Sequence, residues 1–176
     1  MNVKAGASQF RIEPLGAKHN RAVFSCGIDA LDQYLRTQAG QDVSKLAAAV
    51  FVITPDGGRI AGFYTLSAHA IHLGELPASA AKKLPRYPDV PVTLLGRLAV
   101  STDYHGQGVG RLLLVDALRR VLANAREIAS AAVVVDAKND VVRNFYLRHG
   151  FVALPAQPNR LFYPVKTIEK LLGLAK

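Results

Sequence analysis

The chain has 176 residues, half of them hydrophobic and a fifth charged, with 22 Lys and Arg against 13 Asp and Glu for a net charge of +9. That length predicts one domain, and the composition excludes a disordered chain. Cys26 is the one cysteine, which excludes an internal disulfide and a cysteine-ligated zinc cluster, and the longest apolar run, the eight residues of Leu46–Ile53, is far too short for a membrane-spanning helix.

The opening MNVKAGASQF lacks the apolar stretch of a secretory leader, so a cytoplasmic protein is expected. Residues 27–40, GIDALDQYLRTQAG, read as a helix, with Asp29 as N-cap, Leu31, Tyr34 and Leu35 as its apolar stripe and Gly40 past its end. Residues 46–53 and 59–68 read as two strands joined by the tight turn TPDGG. Residues 75–91 hold four prolines and read as loop with a short helix at 78–84. Residues 92–100, VTLLGRLAV, form a third strand, whose isolated Gly96 suggests a bulge or a close backbone approach. A glycine-rich turn, STDYHGQGVG, leads into a helix from Arg111 to about Ile128, with Leu114, Leu118, Val121, Leu122 and Ala125 on one face. Residues 131–137, AAVVVDA, are apolar enough for a strand buried on both faces. A helix over 140–149 follows, with Asp140 as N-cap and Gly150 after its end. Two short strands, 151–154 and 160–166, and a short terminal helix, TIEKLL, complete a mixed α/β sheet flanked by helices.

Two stretches carry candidate chemistry. In the turn, Gly106, Gly108 and Gly110 let backbone approach a ligand, and the amides at the following helix start form an anion site suited to phosphate or pyrophosphate. Neither the GxxxxGK[ST] loop nor a dinucleotide-binding fingerprint near a first strand is present. In the second stretch, VVVDAKNDVVRNFYLRHGF, Asn139 lies in a strand-to-helix loop and Tyr146 in the helix. A phenol with a pKa of about 10 is matched to a leaving group of similar basicity, such as an alkyl thiolate. Read singly, the first stretch is also compatible with an ordinary turn, and Phe145 and Tyr146 with core aromatics.

Together, RLAVSTDYHGQGVGRLLL and NDVVRNFYLRHGF resemble the GNAT superfamily of acetyl-CoA-dependent N-acetyltransferases, in the family's order and spacing, over residues from about 20 to 166. The resemblance implies one GNAT acetyltransferase domain over 1–176, with a mixed, mostly antiparallel sheet and a splayed strand pair. It implies that Leu98, Ala99 and Val100 lie along the pantetheine and that His105, Gly106, Gln107, Gly108, Val109, Gly110 and Arg111 hold the pyrophosphate. His105 stands where the family usually has Arg or Gln. Asn139 and Phe145 then contact the cofactor, and Tyr146 is the general acid. The segments FSCGIDALDQYLRTQA, GFYTLSAHAI, YPDVPVTLLGRLAV and NRLFYPVKTI resemble one branch, the toxins of bacterial toxin–antitoxin pairs that acetylate the amino group of aminoacyl-tRNA. That branch implies a small ribbon-helix-helix antitoxin, contact with DNA only through it, and a toxin homodimer.

The strand 92–100 contains no carboxylate or histidine to serve as a base. An α-amine, with a pKa of about 7.7–8.0 that an adjacent ester lowers further, needs less help than a lysine at about 10.4. The missing base therefore favours an aminoacyl ester, with water removing the proton. The charge excess, +4 over residues 1–88 and +5 over 89–176, suits either solubility or an RNA backbone. Arg97, Lys82, Lys83, Arg86, Arg143, Arg148 and Arg160 are the candidate RNA contacts, Arg97 foremost because a charge within an apolar strand is costly. His69 and His72 lack a third ligand at metal spacing, no GxSxG elbow is present, and no metal is expected. A GNAT enzyme for a small amine or a protein N-terminus, and a non-catalytic RNA- or partner-binding module, remain as alternatives.

Overall fold

Apolar alternation builds the expected hairpin. In the computed structural model, which describes residues 9–173, β2 (Ala49–Thr54) pairs antiparallel with β3 (Gly62–His72), setting Phe51 opposite Tyr64. In the intervening turn, Thr54 Oγ1 accepts the Gly57 amide and Asp56 Oδ1 accepts those of Gly58 and Arg59. Gly57 takes a φ of +86°, which favours glycine. β1 (Arg11–Pro14) pairs antiparallel with β2 through Ile12 and Ile53. The sequence reading did not anticipate it, because four residues are too few to display a period. The leader reading falls mainly on residues 1–8, outside the described residues.

The chain forms two compact units. One comprises the chain up to Ser67 with Arg97–Ala117, the other Ala68–Gly96 with Leu118 onward. In the first unit, α1 (Asp29–Gln33), a π-helical turn (Tyr34–Gln38) and α2 (Ala39–Ser44) follow one another. Asp29 is not the N-cap: Ile28 occupies that position, and Asp29 is the first helical residue. Asp32 instead reaches back from within the helix and accepts the Cys26 amide at 2.8 Å. Gly40 does not end the segment but lies inside α2. The chain leaves α2 at Leu46, in the left-handed region at φ +57°, while the Ala47 amide bonds Asp42 O. Tyr34, Leu35 and Ala39 are buried with Phe24, Val50, Val52 and Phe63. Each such apolar side chain contributes roughly 1.5–3 kcal/mol when fully buried.

In the second unit, β5 (Ala132–Asp136) is buried on both faces, with Ala132 to Val135 no more than 5% exposed. It pairs antiparallel with β7 (Gln157–Pro164), which pairs with β6 (Val152–Leu154). On its other side it meets β4 (Asp89–Val100) in parallel, at Thr93–Val133 and Leu94–Val134. The strand order is β1-β2-β3-β4-β5-β7-β6, the mixed, mostly antiparallel sheet expected. Gly96 lies within β4 and is exposed. α3 (Ala78–Ala81) is shorter than the helix expected at 78–84. α5 (Asp140–Arg148) and α6 (Val165–Leu171) complete the unit, whose core gathers Ile71, Val92, Val134, Leu154 and Phe162.

α4 (Val109–Asn124) begins two residues before the expected Arg111 and stops short of Ile128. Leu113, Leu114, Ala117, Leu118 and Val121 are buried at helical spacing, whereas Leu122 and Ala125 are half-buried. Among the described residues, no helix is long and apolar enough to cross a membrane.

Candidate active site

The glycine-rich turn is shaped by backbone rather than by crowding. After β4, the Ser101 amide bonds Ala61 O at 2.8 Å, and a single 3-10 turn spans Thr102–Tyr104. Gly106 and Gly108 then adopt φ of +74° and +77°, yet a Cβ on either would meet nothing within 4 Å. Their need is conformational, not spatial. The two side chains between fold onto local backbone: His105 Nε2 donates to Val100 O at 2.8 Å, and Gln107 Nε2 to Asp103 O at 3.2 Å. A carbonyl can only accept, so His105 carries its hydrogen on Nε2. The first helical bond of α4 runs from the Leu112 amide to Gly108 O. The amides of Val109, Gly110 and Arg111 precede it and have no partner within the helix. Together with the positive helix end, they suit an anion.

A long-range clasp holds this turn. Arg59 forms an ion pair with Asp103, its guanidinium lies 5.7 Å above the Tyr104 ring, and Phe10 meets that ring edge-on at 5.8 Å. Forty-four residues separate Arg59 from Asp103, so no local pattern signals the contact. Beside the candidate pantetheine strand, a Cβ on Gly62 would stand 2.7 Å from Ala99 O, so only glycine permits that approach. Leu98 and Val100 are half-buried and Ala99 is buried.

Arg97 stacks within the first unit, its guanidinium carbon 3.6 Å from the centre of the Tyr34 ring. Tyr34 Oη donates to Asp42 Oδ2 at 2.8 Å, and Gln38 Nε2 donates to Asp42 Oδ1 at 2.9 Å. Burial, reinforced by Asp42, pushes the Tyr34 phenol up to about 12.

In the second unit, Asn139 is the N-cap of α5, its Oδ1 accepting the Val142 amide at 2.9 Å, while Asp140, the expected cap, is the first helical residue. Tyr146 is 5% exposed, with Phe145 and Phe151 edge-on to its ring at 5.2 and 5.1 Å. Burial pushes its hydroxyl above the ordinary 10, so it keeps its proton at neutral pH. Phe145, half-buried, also lies against the His149 ring, and His149 Nδ1 donates to Phe145 O at 2.7 Å. Gly150 ends the helix as expected at φ +96°, where a Cβ would meet the Tyr163 ring at 2.7 Å.

The basic candidates divide by environment. Arg143 Nε donates to Pro158 O at 2.7 Å, and Arg160 forks onto both Asp136 oxygens at 2.7 and 3.1 Å. Their guanidinium groups thus serve internal contacts. Lys82, Lys83, Arg86, Arg111 and Arg148 are exposed. Cys26 is buried, and burial pushes its thiol up to about 11, which makes it unreactive. Among the described residues, no group of three or more His, Cys, Asp or Glu could hold a metal ion.

Residues 47–153, more than half of the chain and spanning both stretches, match the family described as the acetyltransferase (GNAT) domain. The chain belongs to the GNAT family. It is therefore an acyltransferase, and acetyl-CoA is the acetyl donor of this family. The GNAT chain is 32% identical to a probable toxin TacT of Sinorhizobium fredii, over 96% of its own length and 98% of the relative's. It is 35% identical to a tRNA-acetylating toxin of Mycobacterium tuberculosis, over 85% and 89% of the two chains. Among solved structures it is similar to AtaT complexed with acetyl-methionyl-tRNAfMet, at 30% identity and a TM-score of 0.87 over 93% and 99% of the chains. It is also similar to a tyrosine-to-phenylalanine variant of AtaT bound to acetyl-CoA and the C-terminus of the antitoxin AtaR, at 25% identity and a TM-score of 0.80 over 93% and 98%.

The GNAT chain's own residues fit the donor. Gly106 and Gly108 leave open space where a side chain would stand, which lets a pyrophosphate approach the backbone, and no acidic side chain lies between His105 and Val115 to repel it.

Proposed function

We propose that this GNAT enzyme transfers acetyl from acetyl-CoA to the α-amino group of aminoacyl-tRNA. A blocked amine cannot accept a peptide, so the product stops elongation. The observation that carries this reading is the similarity, over 85% of this chain and 89% of the relative, to a tRNA-acetylating toxin, joined to a buried tyrosine, Tyr146, in the second candidate stretch.

His105, Gly106, Gln107, Gly108, Val109, Gly110 and Arg111 hold the pyrophosphate, mainly through backbone amides, and Asn139 and Phe145 contact the rest of the donor. The bound thioester supplies an activated acetyl carbonyl. Amides of Leu98, Ala99 and Val100 polarise that carbonyl oxygen. The neutral α-amine attacks, water takes its excess proton, and Tyr146 gives its proton to the departing sulfur. Burial makes Tyr146 a weak acid, so the transfer is timed to the moment when thiolate charge develops. Among the basic candidates, the exposed Lys82, Lys83, Arg86 and Arg148 contact tRNA more directly than Arg97, stacked on Tyr34, or than Arg143 and Arg160, each of which donates to an internal oxygen.

The same reading makes the enzyme a cytoplasmic toxin, a single domain over residues 1–176 that forms a homodimer. Its partner is a small ribbon-helix-helix antitoxin, which supplies the only route to DNA. Incubation with acetyl-CoA and a pool of charged tRNA, followed by mass spectrometry of the aminoacyl ends, should show an added acetyl on particular amino acids. Acetylation of free amines or protein N-termini, with none on charged tRNA, would overturn the reading.

A further inference from the structure

The second unit contains a cavity of about 400 Å³ that shares only Lys83 with the candidate residues above. Its walls include Ile71, Val90, Val92, Ala132 and Phe162, all buried apolar side chains. The polar residues lining it are Lys83, Lys166 and Lys170, with Ser79 and Thr167. No acidic residue lines it. Lys166 is paired with Glu169 at 3.3 Å, whereas among the described residues neither Lys83 nor Lys170 pairs with a carboxylate.

We propose that this cavity is a binding site for a small amphipathic anion, an acyl chain of medium length ending in a carboxylate. The volume falls in the range of small-molecule sites, roughly 300–1,000 Å³. The walls reward an apolar tail by removing it from water. Lys83 and Lys170 carry positive charges that no acidic residue on the lining balances, and a ligand carboxylate would offer them charge-assisted hydrogen bonds.

Decanoate titrated calorimetrically into the full chain tests this, with decanol and acetate as comparators. Decanoate should bind at one saturable site. Decanol should bind about tenfold more weakly for want of the charged contact, and acetate should not bind. Ala80→Trp, which fills the lining from α3, should abolish binding. Lys83→Glu with Lys170→Glu, both at exposed positions, should weaken it at least about tenfold while the melting temperature holds. Absence of saturable decanoate binding, equal affinity for decanol, or insensitivity to both sets of substitutions would each overturn the proposal. Tryptophan is absent from the native chain, so its fluorescence in the Ala80→Trp protein separately reports whether that variant folds.

Discussion

The guanidinium carbon of Arg97 sits 3.6 Å over the ring of Tyr34. A charge in a half-buried stretch of strand is thereby given an aromatic face, whose hydroxyl is in turn fixed by Asp42. Such a contact contributes roughly 0.5–2 kcal/mol, depending on how dry it is. Arg97→Ala is expected to lower the melting temperature by about 2–4 °C per kcal/mol lost. Arg97→Lys keeps the charge but not the planar stack and should recover part of the loss. Thermal melts of the two variants check this. Equal destabilisation by both would assign the effect to planarity, and none in either would remove the contact from the stability of the first unit.

Tyr146→Phe removes one buried hydroxyl and leaves the ring against Phe145 and Phe151. Turnover should fall at least about tenfold, since general acids contribute roughly 10²–10⁴-fold. Acetyl-CoA affinity should remain unchanged, because the lost group acts on the leaving sulfur. Single-turnover rates and equilibrium binding separate the two quantities. An unchanged rate would exclude Tyr146 as the acid.

At Gly108 the added methyl of alanine meets no atom, yet the left-handed backbone it must adopt costs roughly 1–2 kcal/mol. Gly108→Ala should therefore weaken acetyl-CoA binding by about fivefold to thirtyfold as the turn relaxes. Gly108→Asn should fall between, as Asn visits this region more readily. Native affinity in the alanine variant would show that the pyrophosphate is held elsewhere.

The carboxyl of Glu13 is held at about 2, below its ordinary 4.5, chiefly by hydrogen bonds from Lys18 and then His19. A depressed acid stabilises the fold above the unfolded value and loses that contribution as pH falls through the folded one. Glu13→Gln should flatten the melting-temperature profile between pH 4.5 and 2. Melting curves across that range decide it. The same acid limb in both proteins would dismiss the Lys18–Glu13–His19 cluster as a pH-sensitive element.

Affinity for charged tRNA should fall linearly in a log–log plot against salt, because phosphate neutralisation releases counterions. Lys82→Ala and Arg86→Ala should each reduce the slope by about one. Arg160→Ala should instead lower the melting temperature, since its fork onto Asp136 is internal. Filter binding at several salt concentrations measures these slopes, and a flat dependence would leave the charge of +9 as a solubility device.

What the sequence disclosed was local. The glycine turn, the period of α4 and the apolar run of β5 each depend on neighbours within one element, and each appears close to where expected. The misses arise where the deciding partner is distant or where two adjacent residues compete. Arg59 and Asp103 meet only after the chain has folded. The π-helical turn at Tyr34–Gln38 leaves no mark in a pattern of apolar positions. Asn139 and Asp140 are both good caps, and the register of α5 chose the first. The RNA contacts proposed for Lys82, Arg86 and Arg148 depend on a partner's shape, which no periodicity within this chain encodes.

The Asn139 cap has a chemical corollary. Because the Val142 amide donates to it, the capping atom is the amide oxygen. Asp, Ser or Thr would close the helix equally well. Asn alone among these residues does so while keeping a neutral NH₂ group, a two-hydrogen donor with no charge to desolvate. A position that required only a helix start would tolerate all four; one that must also offer hydrogens to a ligand carbonyl or phosphate at the mouth of α5 accepts Asn and rejects the rest.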